Sequence, residues 1–159
     1  HEKFSYSPRQ RVMNPRKIYL VDTGFALLST AFSGNSGKLL ENAVAIEIFR
    51  RQVECFYYKG RRECDFIVKK GTKPEAAIQV CWELTPKNEA SEFRGLREAM
   101  DALDIQEGFV LTNDEEKELT FEGSKIQIMP AWKWLLNNRR LPGACFDDRH
   151  IEGPSFTLR

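Results

Sequence analysis

The chain has 159 residues, 42% hydrophobic and 30% charged, with a formal net charge of +1. That length supports one domain with a buried core, and the near-neutral balance leaves no whole-molecule field to draw it to nucleic acid or to a membrane. No run approaches the ~18 apolar residues of a bilayer-spanning helix.

No secretory signal is visible. The four cysteines, Cys55, Cys64, Cys81 and Cys145, show no CxxC spacing, which points to reduced thiols in a cytoplasmic protein and not to a disulfide frame. The first residue is His1, which suggests a segment of something longer. Residues 1–16, polar and broken by Pro8 and Pro15, read as a linker or lead-in arm. Residues 17–138 read as the domain and 139–159 as a C-terminal tail of little pattern.

In chain order, Ile18 to Val21 is a short strand or the lead into a helix, and Phe25 to Phe32 a brief helix. Ser33 to Gly37 is a loop. Lys38 to Arg51 is a helix whose apolar residues nearly encircle it, so it should be largely buried, with Glu47, Arg50 and Arg51 on the solvent side. Strands follow at about 54–59, 63–69 and 75–82, with a turn at Lys70 to Pro74. Phe93, Leu96, Met100 and Leu103 mark an amphipathic helix over 87–103. Then come a strand at 108–112, an acidic turn over 113–118, a strand at 125–129 and a last helix opened by Pro130 over 131–138. The order α-β-β-β-α-β-β-α predicts an α/β fold, a mixed sheet flanked by helices.

Several motifs fail on context. Asp22-Thr23-Gly24 matches the aspartic-protease turn, but those enzymes are nearly all β. Gly37-Lys38 before a helix resembles a phosphate-binding loop, yet Phe32 and Leu39 stand where that loop needs Gly and Ser/Thr, so no ATP site is expected. Two histidines near the termini, His1 and His150, make a histidine-based catalytic group improbable.

Glu41, Asp65, Gln79 and Cys81 remain. Strand alternation puts Glu63, Asp65 and Ile67 on one face and Gln79 and Cys81 on one face of the next strand, with Cys64 and Cys81 on opposite faces. A carboxylate beside an amide oxygen is half of a site for a hard divalent cation. Glu41 falls on the most apolar side of its helix, where a carboxylate needs a partner. A buried hydrogen bond or an ion pair to Arg61 or Arg62 would also satisfy Glu41, and Asp65 could be a solvated edge residue.

The segments Asn14 to Gly24, Lys38 to Asn42, Tyr57 to Val68, Ile78 to Cys81 and Met129 to Leu136 resemble the C-terminal nuclease-like domain, of uncharacterised function, that prokaryotic AAA-type ATPases carry after a P-loop module and a winged helix. Such domains resemble the PD-(D/E)xK nucleases, so the resemblance implies a restriction-endonuclease-like fold. It implies Glu41 as the helix carboxylate, Asp65 as the central ligand of Mg2+ or Mn2+, and Gln79 in the Glu/Gln place. Cys81 stands where the pattern has lysine, and a neutral thiol cannot stabilise a developing phosphorane. Lys59 or Lys69 could supply that ammonium. Lys59, Arg61, Arg62, Lys69, Lys70 and Lys73 cluster around the hairpin and could contact a DNA or RNA backbone. Two functions follow: metal-dependent phosphodiester hydrolysis, or a catalytically degenerate module for nucleic-acid binding, protein interaction or oligomer assembly beside the ATPase module of the same parent chain.

Overall fold

The computed structural model describes residues 1–5, 9, 14–22 and 35–136. The helix expected at 25–32, the start of the 33–37 loop, the end of the helix expected over 131–138, and the tail at 139–159 lie outside the described residues.

Helix α1 spans Ser36–Arg50, and Asn35 caps it by accepting from the Lys38 N–H at 3.0 Å. Strands β1 (Cys55–Lys59), β2 (Glu63–Lys70) and β3 (Lys73–Val80) follow. Helix α2 (Glu89–Leu103) leads to β4 (Glu107–Thr112), β5 (Lys117–Phe121), β6 (Ser124–Pro130) and α3 (Ala131–Leu136).

The strands form one six-stranded mixed sheet in the order β1-β2-β3-β4-β6-β5. β1, β2 and β3 pair antiparallel, β3 and β6 lie parallel to β4, and β5 pairs antiparallel with β6. The tight β2–β3 turn works because Gly71 takes φ +58, a left-handed angle open to glycine. α2 is the crossover between the parallel strands β3 and β4, which need a long connection.

Two apolar layers cover the sheet. Phe93, Leu96, Ala99, Met100 and Leu103 of α2 pack with Cys64, Ile67, Ala77, Val110 and Ile126 on one face. Val44, Ala45 and Ile48 of α1 and Ala131 and Trp134 of α3 pack with Phe66, Val68, Ile78, Phe109 and Leu111 on the other. β4 is therefore covered on both sides, which is why its sequence is a continuous apolar run.

The structure corrects several expectations. The acidic turn expected over 113–118 gives way at Lys117 to a strand, β5, that the sequence reading does not include. Its Lys117-Glu118-Leu119-Thr120-Phe121 sequence is an exposed edge strand, where charge discourages pairing with other chains. Ile18 to Val21 forms no strand, with Ile18 and Val21 84% and 87% exposed, while the helix it was expected to lead into lies outside the described residues. Glu47, expected in solvent, is buried, because Arg50 and Arg51 both hold its carboxylate, at 2.6 and 2.7 Å. Their hydrogen bonds outweigh burial and keep Glu47 below the usual carboxylate range.

α2 lies unusually close to the sheet at Gly95, where an added Cβ would sit 2.5 Å from the backbone oxygen of Glu63. A helix-interior glycine ordinarily gains about 0.5–1 kcal/mol on conversion to alanine. Here the backbone of β2 cannot yield, so Gly95→Ala is expected to lose about 1–3 kcal/mol of stability. Urea unfolding checks this; a gain would show that α2 can lift off β2 freely.

Candidate functional site

Register on β2 decides where Asp65 points. Phe56 of β1 pairs with Ile67, but Tyr58 pairs with Cys64, so Asp65 and Phe66 together stand opposite Tyr57. This is a β-bulge, two residues against one, and it breaks side-chain alternation. Cys64 and Ile67 both enter the α2-side core, while Phe66 enters the α1-side core. Asp65 turns toward α1, and the expected sharing of one face by Asp65 and Ile67 does not hold. Cys81 also borders the α2-side core, so Cys64 and Cys81 do not lie on opposite faces.

Asp65 replaces backbone pairing at the end of the hairpin. The last backbone partners there are Phe66 and Ile78. Beyond them, Asp65 Oδ2 accepts from the Val80 N–H at 3.0 Å, and the Asp65 N–H donates to Gln79 Oε1 at 3.3 Å. Gln79 Nε2 donates in turn to Glu92 Oε2 at 2.7 Å, on α2.

At the centre of the cluster is Lys17. Its Nζ lies 2.8 Å from Asp65 Oδ1, 3.1 Å from Glu41 Oε1 and 2.7 Å from Glu63 Oε1. Tyr19 donates its hydroxyl to the same Glu41 oxygen at 2.7 Å. Asn42, one residue after Glu41 and fully buried, clamps the segment by accepting from the Leu20 N–H at 2.7 Å and donating to the Leu20 carbonyl at 3.2 Å. Helix α1 thus presents Glu41 to the site and Asn42 to the strap that carries Lys17.

The electrostatics follow from one cation among several carboxylates in a half-buried place. Burial alone would lower the Lys17 pKa, but Asp65 and Glu41 more than offset it and hold it above the usual lysine range. Burial, then Glu41, push the Asp65 carboxyl up to about 6 against the pull of Lys17. Burial and then Glu41 also raise the Tyr19 phenol, so it stays a protonated donor. Burial works against ionised Glu63, yet Lys17 and Lys59 outweigh it and lower its pKa. The Cys81 thiol is raised by burial and then by Glu92. Its sulfur lies 3.1 Å from the Glu83 carbonyl, so it is a neutral donor and no thiolate.

The structure therefore brings together Glu41, Asp65 and Gln79, the last through the Asp65 backbone. Glu41 takes neither Arg61 nor Arg62 as its partner. The proposed substitute ammoniums go elsewhere: Lys59 pairs with Glu63 at 2.9 Å, and Lys69 is held by Glu54 at 3.3 Å over the Phe56 ring. Arg61 and Arg62 are exposed, their backbone N–H groups tied to Glu98. Sequence reasoning missed Lys17, Tyr19 and Glu92. The only available signal for the first two was their place in Asn14-Pro15-Arg16-Lys17-Ile18-Tyr19, quoted for the resemblance but assigned no role.

The donor chemistry suits a hard cation only in its carboxylates, since Glu41, Glu63 and Asp65 converge on Lys17 while the Gln79 amide is taken up by the Asp65 N–H and by Glu92. The spacing of the carboxylates is set by an ammonium, however, and among the described residues no three carboxylate, thiol or imidazole groups already form a metal cage.

Comparison with known proteins gives a family and no established activity. The profile described as "Domain of unknown function (DUF4143)" matches residues 36–134, from α1 through most of α3, including Glu41, Asp65 and Gln79. The uncharacterized protein MJ1544 of Methanocaldococcus jannaschii is 32% identical over 143 residues, covering 83% of this chain. The chain spans about a third of that relative, 32% of its length. No solved structure matches. Among the described residues no helix is long and apolar enough to cross a membrane. With more than half of its length matched in one stretch, the chain belongs to the DUF4143 family.

Proposed function

We propose that this chain is a nuclease-like module, with a restriction-endonuclease-like fold, of a larger ATPase-containing protein, and that its site hydrolyses phosphodiester bonds of DNA or RNA with Mg2+ or Mn2+. The observation that carries the reading is the meeting of Glu41 of α1, an ammonium, Lys17, and Asp65, which the bulge in β2 aims at them. Bulges of this kind recur next to active sites because they re-aim a side chain. Buried titratable groups with displaced pKa values are the usual mark of such sites.

Asp65 and Glu41 would hold the metal, which when bound polarises a phosphate oxygen and lowers the pKa of water. Gln79, expected as a third ligand, instead braces the Asp65 backbone against Glu92. Lys17, and not Cys81, supplies the positive charge beside the reacting phosphate. Tyr19 fixes the orientation of Glu41. Arg61 and Arg62 are exposed, the Arg62 guanidinium holding only the Ser91 hydroxyl at 3.1 Å among the described residues, and could meet a phosphate backbone, which gives binding without sequence readout. Lys69 is less suited, since Glu54 already holds it.

A second reading is a non-enzymatic binding or assembly module. One specific observation favours it: Asp65 uses both oxygens inside the protein, on Lys17 and on the Val80 N–H.

A manganese-supplemented assay on single- and double-stranded DNA and RNA separates the two. Hydrolysis is expected to fall at least about 100-fold in Asp65→Asn, since the variant lacks the central anionic ligand. Cleavage that persists in Asp65→Asn would show that the activity does not come from this site. No cleavage by the native chain would leave the binding-module reading as the better one.

A further inference from the structure

The strap that brings Lys17 to the carboxylates is held by a few polar clips. Besides the Lys17 contacts, they are the two Asn42–Leu20 hydrogen bonds, Tyr19 on Glu41, and Tyr57, which donates to the Pro15 carbonyl at 2.6 Å. Its apolar contribution is one ring: Ile18 and Val21 are exposed, while Tyr19 packs on the α1-side core beside Phe49 and Phe66. Held by one ring and a set of polar contacts, the strap opens at lower cost than the sheet and its helices, which share two apolar layers.

The charge count at its tip is unbalanced. One ammonium faces three carboxylates, Glu41, Glu63 and Asp65. Among the described residues only Glu63 has a second ammonium partner, Lys59. The nest therefore keeps a net attraction for more positive charge than Lys17 carries. The ammonium lies between the Asp65 and Glu41 oxygens, at 2.8 and 3.1 Å, where a divalent ion would coordinate both at about 2–2.6 Å.

We infer that Lys17 is a tethered stand-in for the divalent cation: the 14–22 strap closes the site by seating its ammonium between Glu41 and Asp65, and a divalent ion enters there only by displacing it. The inference rests on the metal-site part of the proposed function but not on hydrolysis. The closed, strap-seated form binds no ion, so the apparent affinity for metal is lowered by the fraction of molecules that are open. Lys17 then has two successive places, on the carboxylates before the ion enters and beside the substrate phosphate afterwards.

The test is calorimetric titration of manganese into the native chain, Lys17→Met and Lys17→Met/Asp65→Asn, with thermal unfolding of each in the presence and absence of the ion. Lys17→Met is expected to bind manganese at least about tenfold more tightly than the native chain. Manganese is also expected to raise its melting temperature more than that of the native chain, and the double variant should lose the gain. Equal or weaker affinity in Lys17→Met overturns displacement while leaving the metal site standing. No binding by a folded Lys17→Met at millimolar manganese overturns the metal site itself. Should the variant unfold, hydrogen exchange of the Leu20 amide in the native chain gives the answer. Exchange is expected to accelerate at manganese concentrations where binding is seen, and unchanged or slower exchange there overturns the inference.

Discussion

Lys17→Met is expected to cost about 3 kcal/mol of stability at neutral pH, toward the low end for removing one partner of a buried ion pair. The low end applies because the Lys17 side chain is 20% exposed. Methionine keeps much of the aliphatic stem and removes the charge, leaving Glu41, Glu63 and Asp65 facing one another without their shared cation. The loss should depend on pH in a defined direction. Asp65 has a folded pKa of about 6, above its ordinary value, so the folded state binds more protons than the unfolded state from about pH 4 to pH 6. Stability from this group therefore falls as pH rises through that window. Without Lys17, which pulls the Asp65 pKa down, the window extends toward neutrality. The deficit of Lys17→Met relative to the native chain should be largest near pH 7.5 and shrink toward pH 5, where Asp65 takes up a proton in both. Urea unfolding at the two pH values checks this. A deficit under about 0.5 kcal/mol, the scale of a solvated surface pair, would contradict the central role given to Lys17.

Trp134→Ala is expected to cost about 3–5 kcal/mol, the range for emptying a buried aromatic site. Trp134 is the largest fully buried side chain and fastens α3 to the α1 side of the sheet. The Arg51 guanidinium lies 4.7 Å from the centre of its ring and also donates to the Trp134 carbonyl at 3.2 Å. Glu47 holds Arg51 in that place, so the corner between α1 and α3 is one connected unit. Among the described residues Trp134 Nε1 has no hydrogen-bond partner. Trp134→Phe therefore loses volume but also removes an unpaired buried donor, and should cost less than about 1.5 kcal/mol. Chemical denaturation of both variants gives the comparison. A loss below about 1 kcal/mol for the alanine variant would mean that α3 is not part of the cooperative core.

Much of the architecture was legible in the sequence because it rests on local periodicity. The Phe93, Leu96, Met100 and Leu103 spacing gives the buried face of α2, and the apolar run at 108–112 gives the central strand. β5 was not legible because an exposed edge strand has no buried face to impose alternation. The site was half legible. Glu41 stands out as a carboxylate on an apolar helix face, and Asp65 and Gln79 as polar residues on adjacent strands, but the orientation of Asp65 depends on a bulge that alternation cannot foresee. Lys17 was invisible for a different reason. It lies 48 residues from Asp65 and in no regular element, so no spacing rule relates the two.

The most direct measurement is anomalous diffraction from a manganese-soaked crystal of this chain. The expected result is a peak within about 2–2.6 Å of Asp65 and Glu41 oxygens, with the Lys17 ammonium moved out from between them. A crystal that binds no manganese there, with Lys17 still seated on both carboxylates, would contradict the claim that these residues form a divalent-cation site.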